Sequence, residues 1–245
     1  MKTNVWPKVF PPLTPEQENI SNDFMKHWHE ELAGRSRYGM IEKFNHGYVV
    51  KNAPDHFLKT LEIGAGLGEH LKYENLSLEQ KRNYVALDLR DVMVEQMKIN
   101  FPDIQSQVAD CQKTLPFPDD HFDRILAIHV LEHLPNLPAT VKEMHRVCNK
   151  KTGRFSIVIP CEGGLAYTLA RKISAQRIFE RRYKQSYKWF IEREHINRPH
   201  EILQELETYF HIEHRSFFPF LIPMIDCNLC IGITLSPRLE VKERF

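Results

Sequence analysis

The sequence predicts an α/β fold with a mostly parallel sheet, and three observations carry that expectation. Short apolar runs of strand length alternate with helical patterns along the chain. The first such run, with Leu58, Leu61 and Ile63, breaks directly into three glycines on alternate positions, Gly64, Gly66 and Gly68. A second run, 83–88, closes on the carboxylate of Asp88, about 20 residues beyond the glycines.

A chain of 245 residues is long enough for one α/β domain with elaborations and short for two independent ones. With 42% hydrophobic and 27% charged residues and a net charge of +1, nothing in the global balance demands nucleic acid or a membrane surface. The first dozen residues lack the apolar core of a signal peptide. No apolar run approaches the roughly 18–20 residues of a membrane span, so the expected location is cytoplasmic. The five cysteines are odd in number and scattered, against a disulfide framework. Cys227 and Cys230 have C-x-x-C spacing, but 226–235 reads as a strand. With no second pair to complete a zinc site, both are read as packing residues.

Taken in order, 1–13 carries three prolines and no periodicity, an extended arm. Thr14-Pro15-Glu16-Gln17 supplies a cap, a proline at the first helical position and a glutamine at N3. That helix is expected to reach about residue 32 and stop at Ala33-Gly34, with a second helix over about 40–50. A basic and aromatic connector containing Arg37 and Tyr38 lies between them. The glycines permit positive φ and let a ligand lie against bare backbone, with the amides of a helix to about Tyr73 pointing at it. A dinucleotide fingerprint, G-x-G-x-x-G, needs its third glycine where Glu69 stands. Glu62, just before the turn, suits an ammonium rather than a pyrophosphate. Asp88 suits ribose hydroxyls, which does not choose between cofactors; the alternative is a cap for a helix over 90–100. Met93 and Met97 share a helix face and read as core.

A third strand over 104–109 is ended by Asp110 and Cys111, and Leu115-Pro-Phe-Pro-Asp-Asp stiffens the next connection. The fourth strand, 123–129, ends in His129, followed by Val130-Leu-Glu-His-Leu-Pro-Asn. A helix over 138–148 has Leu137, Val141, Met144 and Cys148 on one side, and the fifth strand covers 153–160. The segment 161–198 is helical, with Phe179, Tyr183, Tyr187 and Ile191 on one face and nine basic residues against a minority of acidic ones. A last helix over 199–209 precedes two strands, 210–218 and 227–235.

The motifs Leu-Glu-Ile-Gly-Ala-Gly, Leu-Asp, Ala-Asp, His-Val-Leu-Glu-His and Gly-Arg-Phe, each on its own strand edge, resemble the class I S-adenosylmethionine (SAM) dependent methyltransferases over about 55–160. The run 109–123 resembles the type 11 family of small-molecule methyltransferases, which includes quinone-pathway enzymes. The resemblance implies a three-layer α/β/α, Rossmann-like fold whose seven-stranded, mostly parallel sheet has an antiparallel last strand. It divides one domain, 1–245, into an arm and lid helices (1–54), a SAM-binding core (55–160), a helical acceptor-side insert (161–198) and a C-terminal helix with a strand pair (199–245). The implied cofactor contacts are Glu62 near the ammonium and Gly64, Ala65, Gly66 and Gly68 at the methionine portion. Asp88 goes to the ribose and Asp110 to the adenine, with Leu89, Cys111 and Ile128 as further cofactor contacts. Arg37, Tyr38 and the Phe44-Asn45-His46 run are lid candidates, with a plain solvated connector as the alternative.

The expected function is transfer of the SAM methyl group to an oxygen of a small anionic or sugar-type acceptor. The basic insert suits a phosphorylated or nucleotide-linked sugar; its alternative is a solvated amphipathic face. Three rivals stand beside this. An NAD(P) oxidoreductase is opposed by the glycine spacing. An RNA or other nucleic-acid methyltransferase is opposed by the missing Asn/Asp-Pro-Pro-Tyr/Phe motif. A non-catalytic SAM-binding protein is the third. Oligomeric state is left open. His129 and His133 are the catalytic candidates, His129 first as general base. No metal is assigned. A helical continuation would put His129, Glu132 and His133 on one face, an H-x-x-E-H spacing like that of metal sites. Glu/His groups here bind a divalent ion in some RNA-end and quinone-pathway methyltransferases, although those have an acid where this chain has His129. A purely structural role is the remaining alternative.

Overall fold

A computed structural model describes residues 5–27 and 36–241, the side chains of 36–38 excepted. The central strands are β1 (Thr60–Ile63), β2 (Tyr84–Asp88), β3 (Gln105–Val108), β4 (Arg124–Ile128) and β5 (Arg154–Pro160). With β6 (Phe210–Phe218) and β7 (Cys230–Pro237) they form one seven-stranded sheet in the order β3-β2-β1-β4-β5-β7-β6. The first five run parallel, and β7 is antiparallel to both its neighbours. The antiparallel last strand is therefore as expected. The chain order reverses between β1 and β4, and such a switch point opens a crevice at the carboxyl edge of a parallel sheet.

Helices cover both faces because the central strands are apolar on both. Leu61 and Ile63 point into the layer packed by α5 (Leu137–Val147) and α9 (Pro199–Tyr209), where Val141, Met144, Ile202 and Leu206 are fully buried. The other layer holds Ala86 and Leu126 beneath Tyr48 and Val49 of α2 (Ser36–Lys51) and Met97 of α4 (Asp91–Asn100). The edge strand β3 exposes Gln105 and Gln107, a polar edge that discourages further pairing.

Several boundaries differ from the sequence expectation. The first helix, α1, covers Pro15–His27, and the expected stop at Ala33-Gly34 lies outside the described residues. A short helix α3 (Leu78–Arg82) was not expected, although Ser77 and Gln80 form its capping box and spell the signal. The insert is not one amphipathic helix. It comprises α6 (Leu165–Arg171), a π-helical turn over Lys172–Gln176, α7 (Arg177–Tyr183) and α8 (Lys188–Glu194). Lys184 ends α7 in the left-handed conformation, φ 55°. Four-residue aromatic spacing does not distinguish one helix from two that share an apolar side. Here Phe179, Tyr187 and Phe190 close around Phe24 of α1, with Phe24 5.1 Å from Phe179 and 5.2 Å from Phe190 between ring centroids. Strand β7 starts three residues later than expected, because Ile225–Cys227 form a 3-10 turn.

A buried ion pair ties the segment after the glycines to the sheet. Arg124, fully buried at the start of β4, donates to Glu74 Oε1 at 2.7 Å and to the Val49 carbonyl at 3.0 Å. His70 lies 2.6 Å from the same carboxylate oxygen. Burial alone would raise the Glu74 carboxyl, yet the His70 hydrogen bond and the Arg124 charge prevail and hold it at about 2. A depressed carboxyl stabilises above its unfolded value and loses that contribution as pH falls toward the folded one. Glu74→Gln is expected to cost about 3–5 kcal/mol at neutral pH by stranding the guanidinium. In urea denaturation the gap from wild type should narrow as pH falls from 4.5 toward 2. A gap that stays constant would remove the ion pair from this role.

Candidate active site

The glycine turn sits at the carboxyl end of β1, and all three glycines have positive φ: 65° at Gly64, 55° at Gly66 and 80° at Gly68. The turn is fixed from two sides. Ala65 donates to the Leu87 carbonyl at 2.9 Å, and the Gly66 N–H donates to Asp88 Oδ2 at 2.9 Å. A Cβ at Gly64 would lie 2.4 Å from Val130 Cγ2, and one at Gly68 2.6 Å from the Phe101 ring. At Gly66 nothing lies within 4 Å of that position, so this is the side from which a ligand can reach backbone. The helix expected to follow is only a 3-10 turn, Glu69–Tyr73. So short an element lends little dipole to a pyrophosphate, whereas a zwitterionic methionine tail needs none.

Glu62 is buried on β1 and accepts a hydrogen bond from the Tyr84 hydroxyl at 2.7 Å. Burial raises its carboxyl above the ordinary value, against the opposing His70 charge and Tyr84 hydrogen bond. Asp88 is 5% exposed and ends β2. Besides Gly66 it accepts from the Arg90 N–H at 3.0 Å and from the Arg90 guanidinium at 3.0 and 3.2 Å. Burial would raise it, but Arg90 and Gly66 hold it below the usual carboxylate value. Leu89 is exposed beside it. Asp110 accepts from the backbone and side chain of Gln112 at 3.0 and 3.1 Å. Cys111 is buried, which pushes its thiol up to about 12, and Ile128 closes β4 half-buried. The side chains of Arg37 and Tyr38 lie outside the described residues. Of the other lid candidates, Asn45 and His46 are buried, His46 stacked on Tyr73 at 4.7 Å, and Phe44 stacks on Phe218 at 5.2 Å.

The end of β4 forms the third wall. His129 is left-handed at φ 54°, its N–H on the Val158 carbonyl at 2.9 Å. The helical face expected for His129, Glu132 and His133 is not formed, since only Leu131–His133 make a 3-10 turn. The three are nevertheless together: Glu132 Oε1 is 3.1 Å from His129 Nδ1 and 3.9 Å from His133 Nε2. Glu132 is fully buried, and its Oε2 has no hydrogen-bond partner. Burial would raise its carboxyl, but His129 and His133 hold it at about 2.

The insert supplies residues the sequence did not single out. His195 packs edge-on against His133, ring centroids 5.2 Å apart, and its Nδ1 meets Glu162 Oε2 at 2.9 Å. Arg171 pairs with the other oxygen of Glu162. Asn197 donates to the carbonyls of Leu131 and Leu134 at 2.8 and 2.7 Å and from its N–H to the Glu132 carbonyl at 3.0 Å, pinning the turn. The run Glu194-His195-Ile196-Asn197, just ahead of a Pro-capped helix, was the available signal. Ligand atoms of Glu132, His133 and His195 lie within 4.8 Å of one another.

Residues 61–157 match the family described as a methyltransferase domain. Over that segment the chain resembles methyltransferases, and its fold is that of SAM-dependent methyltransferases. A TehB-like SAM-dependent methyltransferase from Corynebacterium glutamicum superposes with a TM-score of 0.59 at 17% identity, covering 90% of this chain and all of its own. A SAM-dependent methyltransferase from Thermotoga maritima, described as a possible histamine N-methyltransferase, gives 0.60 at 14% identity over 90% of this chain and 99% of its own. The geranyl diphosphate C-methyltransferase from Streptomyces coelicolor, solved with Mg2+, geranyl diphosphate and S-adenosyl-L-homocysteine, gives 0.53 at 12% identity over 92% and 99%. Likeness at these identities is likeness of fold. No curated protein matches the chain in sequence.

The different surroundings of the glycines separate their roles. Gly66→Ala should leave the fold within about 1–2 kcal/mol of wild type, the left-handed penalty alone, while weakening SAM binding at least about tenfold in calorimetry. Gly64→Ala, which also meets Val130, should lose distinctly more stability in the same denaturation series. Equal stability losses with unchanged SAM affinity at Gly66 would mean that the ligand does not approach this turn.

Proposed function

We propose that the protein methylates an oxygen of a small anionic or sugar-type acceptor held between the β4 edge and the α6–α8 insert. The observation that carries this reading is the group of titratable side chains His129, Glu132, His133 and His195 at that edge, beside the glycine turn. Methyl transfer is an in-line displacement from a sulfonium that is already a good leaving group. The protein must align the two partners and, for a hydroxyl, accept a proton. In this reading the methionine portion of SAM lies on Gly64, Ala65, Gly66 and Gly68. Its ammonium faces Glu62, whose raised carboxyl a nearby cation would relieve. The ribose hydroxyls take the Asp88 carboxylate from Arg90, Leu89 covers the sugar, and Asp110, Cys111 and Ile128 border the adenine. Arg37 and Tyr38, on α2, are the lid candidates of this reading.

Between the two catalytic candidates, His133 is the better base. Burial and the neighbouring His195 lower its imidazole against the opposing Glu132 and Glu194 charges, so it is neutral and able to accept a proton at pH 7. At His129 burial acts in the same direction, but hydrogen bonds with Cys230 and Glu132 prevail and raise it. A protonated His129 instead holds the Glu132 carboxylate in place. A nucleic-acid acceptor is disfavoured because Arg171, Arg182 and Arg193 are engaged within the protein, with Glu162, Asp23 and the Pro11 carbonyl. A cytoplasmic location belongs to this reading, supported by five free cysteines and by the finding that, among the described residues, no helix is long and apolar enough to cross a membrane.

One observation favours a second reading, a divalent ion held by Glu132, His133 and His195. The buried, unpartnered Oε2 of Glu132 lacks a cation or donor, and Glu162 orients His195 as a carboxylate orients a ligating imidazole. Two imidazoles and a carboxylate suit a first-row transition ion, which would polarise an acceptor oxygen.

The pH profile of kcat/KM with labelled SAM separates these roles. With His133 as base, activity should rise through an apparent value below the usual imidazole one of about 6.5 and stay level across neutrality. His133→Ala should lose about 100-fold or more, and chelator should leave wild type unchanged. A rise only well above neutrality would return the base to His129. Chelator-sensitive activity, with one ion per chain lost in His195→Gln, would select the metal reading.

A further inference from the structure

The β6–β7 connection and α6 expose more apolar surface than the methyl-transfer reading uses. Phe220, Leu221 and Ile222 are 55%, 86% and 51% exposed, and Leu165, Leu169 and Ile173 are 75%, 62% and 66% exposed. This loop is built to present them. Asn228, fully buried, accepts from the Phe220 N–H at 2.9 Å and donates to the carbonyls of Ile222 and Met224 at 2.8 and 2.9 Å. The backbone is thus satisfied inward while the apolar side chains stand outward.

The two exposed elements are contiguous. At the start of α6 a Cβ on Gly164 would lie 2.6 Å from the Ile225 carbonyl, so the helix abuts the loop backbone to backbone. Their place is the rim of the cleft. Strand β6 ends at Phe218, paired through Cys230 to Pro160 at the end of β5, the carboxyl edge of the sheet that also carries the glycine turn.

Charge along the same line indicates what covers this face. Leu165, Leu169 and Ile173 are four residues apart, and the spacing continues into Arg177 and Arg181, both exposed, with Lys172 and Lys184 beside them. Asp226 is the exposed acid of the loop. An apolar stripe that turns basic at one end matches an interface whose acyl region adjoins negative headgroups. A protein partner would call for a flat apolar patch with a mixed rim, whereas here the cations gather on one side.

We propose that this face seats the protein on the surface of a bilayer containing anionic phospholipid, with Phe220, Leu221 and Ile222 entering the headgroup boundary and Arg177 and Arg181 meeting the phosphates. The cleft rim then lies against the lipid, and the acceptor is an amphiphile whose polar head reaches the β4 corner. That last clause rests on the methyltransferase reading; the docking does not.

Sedimentation with vesicles tests it without any turnover. Wild type should bind vesicles of phosphatidylcholine with roughly 30% phosphatidylglycerol at least about tenfold more tightly than vesicles of phosphatidylcholine alone. The difference should shrink at high salt, where exposed charges are screened. Leu221→Ser with Leu169→Ser, and separately Arg177→Glu with Arg181→Glu, should each lower binding to the anionic vesicles at least about tenfold. Calorimetry with SAM on the same samples should give wild-type affinity, which keeps failure of docking distinct from failure of the cofactor site. Docking is overturned if wild type does not bind anionic vesicles or if both double variants bind as wild type does. Self-association without lipid that Leu221→Ser abolishes would make the face a contact between copies and overturn it equally.

Discussion

The cofactor cleft depends on one carboxylate. Asp88 ends β2 and receives the Gly66 N–H, so the position of this acid and the shape of the glycine turn are a single constraint. The Ala65 N–H on the Leu87 carbonyl is the other tether of the turn, and at Gly66 no side chain stands nearby to wedge the left-handed backbone. Val130 and Phe101 fix the flanking glycines by close approach, and neither leaves room for a Cβ. Arg90 satisfies the same carboxylate. Its guanidinium is half exposed, so water can take it over at little cost.

The reactive corner obeys a second constraint, strain held in place by packing. His129 adopts a left-handed conformation that costs a non-glycine residue roughly 1–3 kcal/mol. It persists because the backbone on both sides is tied down, by Val158 at its own N–H and by Asn197 across the turn that follows. The outcome is that Glu132, buried and ionised, is surrounded by imidazoles in different protonation states. Residues 129–133 of one segment and 195 of another thereby gather three imidazoles around one buried carboxylate.

Much of this was legible in the sequence, and the reasons are local. The β1 turn, the acid ending β2, the strand over Phe210–Phe218 and the helix over Pro199–Tyr209 follow from patterns that short-range chemistry determines: glycine spacing, a terminal carboxylate and a proline at the first helical turn. Long-range pairing was not legible. Nothing near His195 announces that it meets His133, 62 positions earlier in the chain, or that Glu162 is its partner. The break at Lys184 was likewise hidden, because the aromatic residues around it satisfy one apolar side with or without a continuous helix. Treating His129, Glu132 and His133 as a helical face gave the right company by the wrong geometry.

The most direct test of the account is a crystal structure of the protein with S-adenosylhomocysteine. Asp88 should leave the Arg90 guanidinium and accept both ribose hydroxyls while the Gly66 N–H stays on its Oδ2. The sulfur should then stand above the β4 edge, facing His129 and His133. A nucleoside bound elsewhere, with the Asp88–Arg90 pair intact, would contradict it.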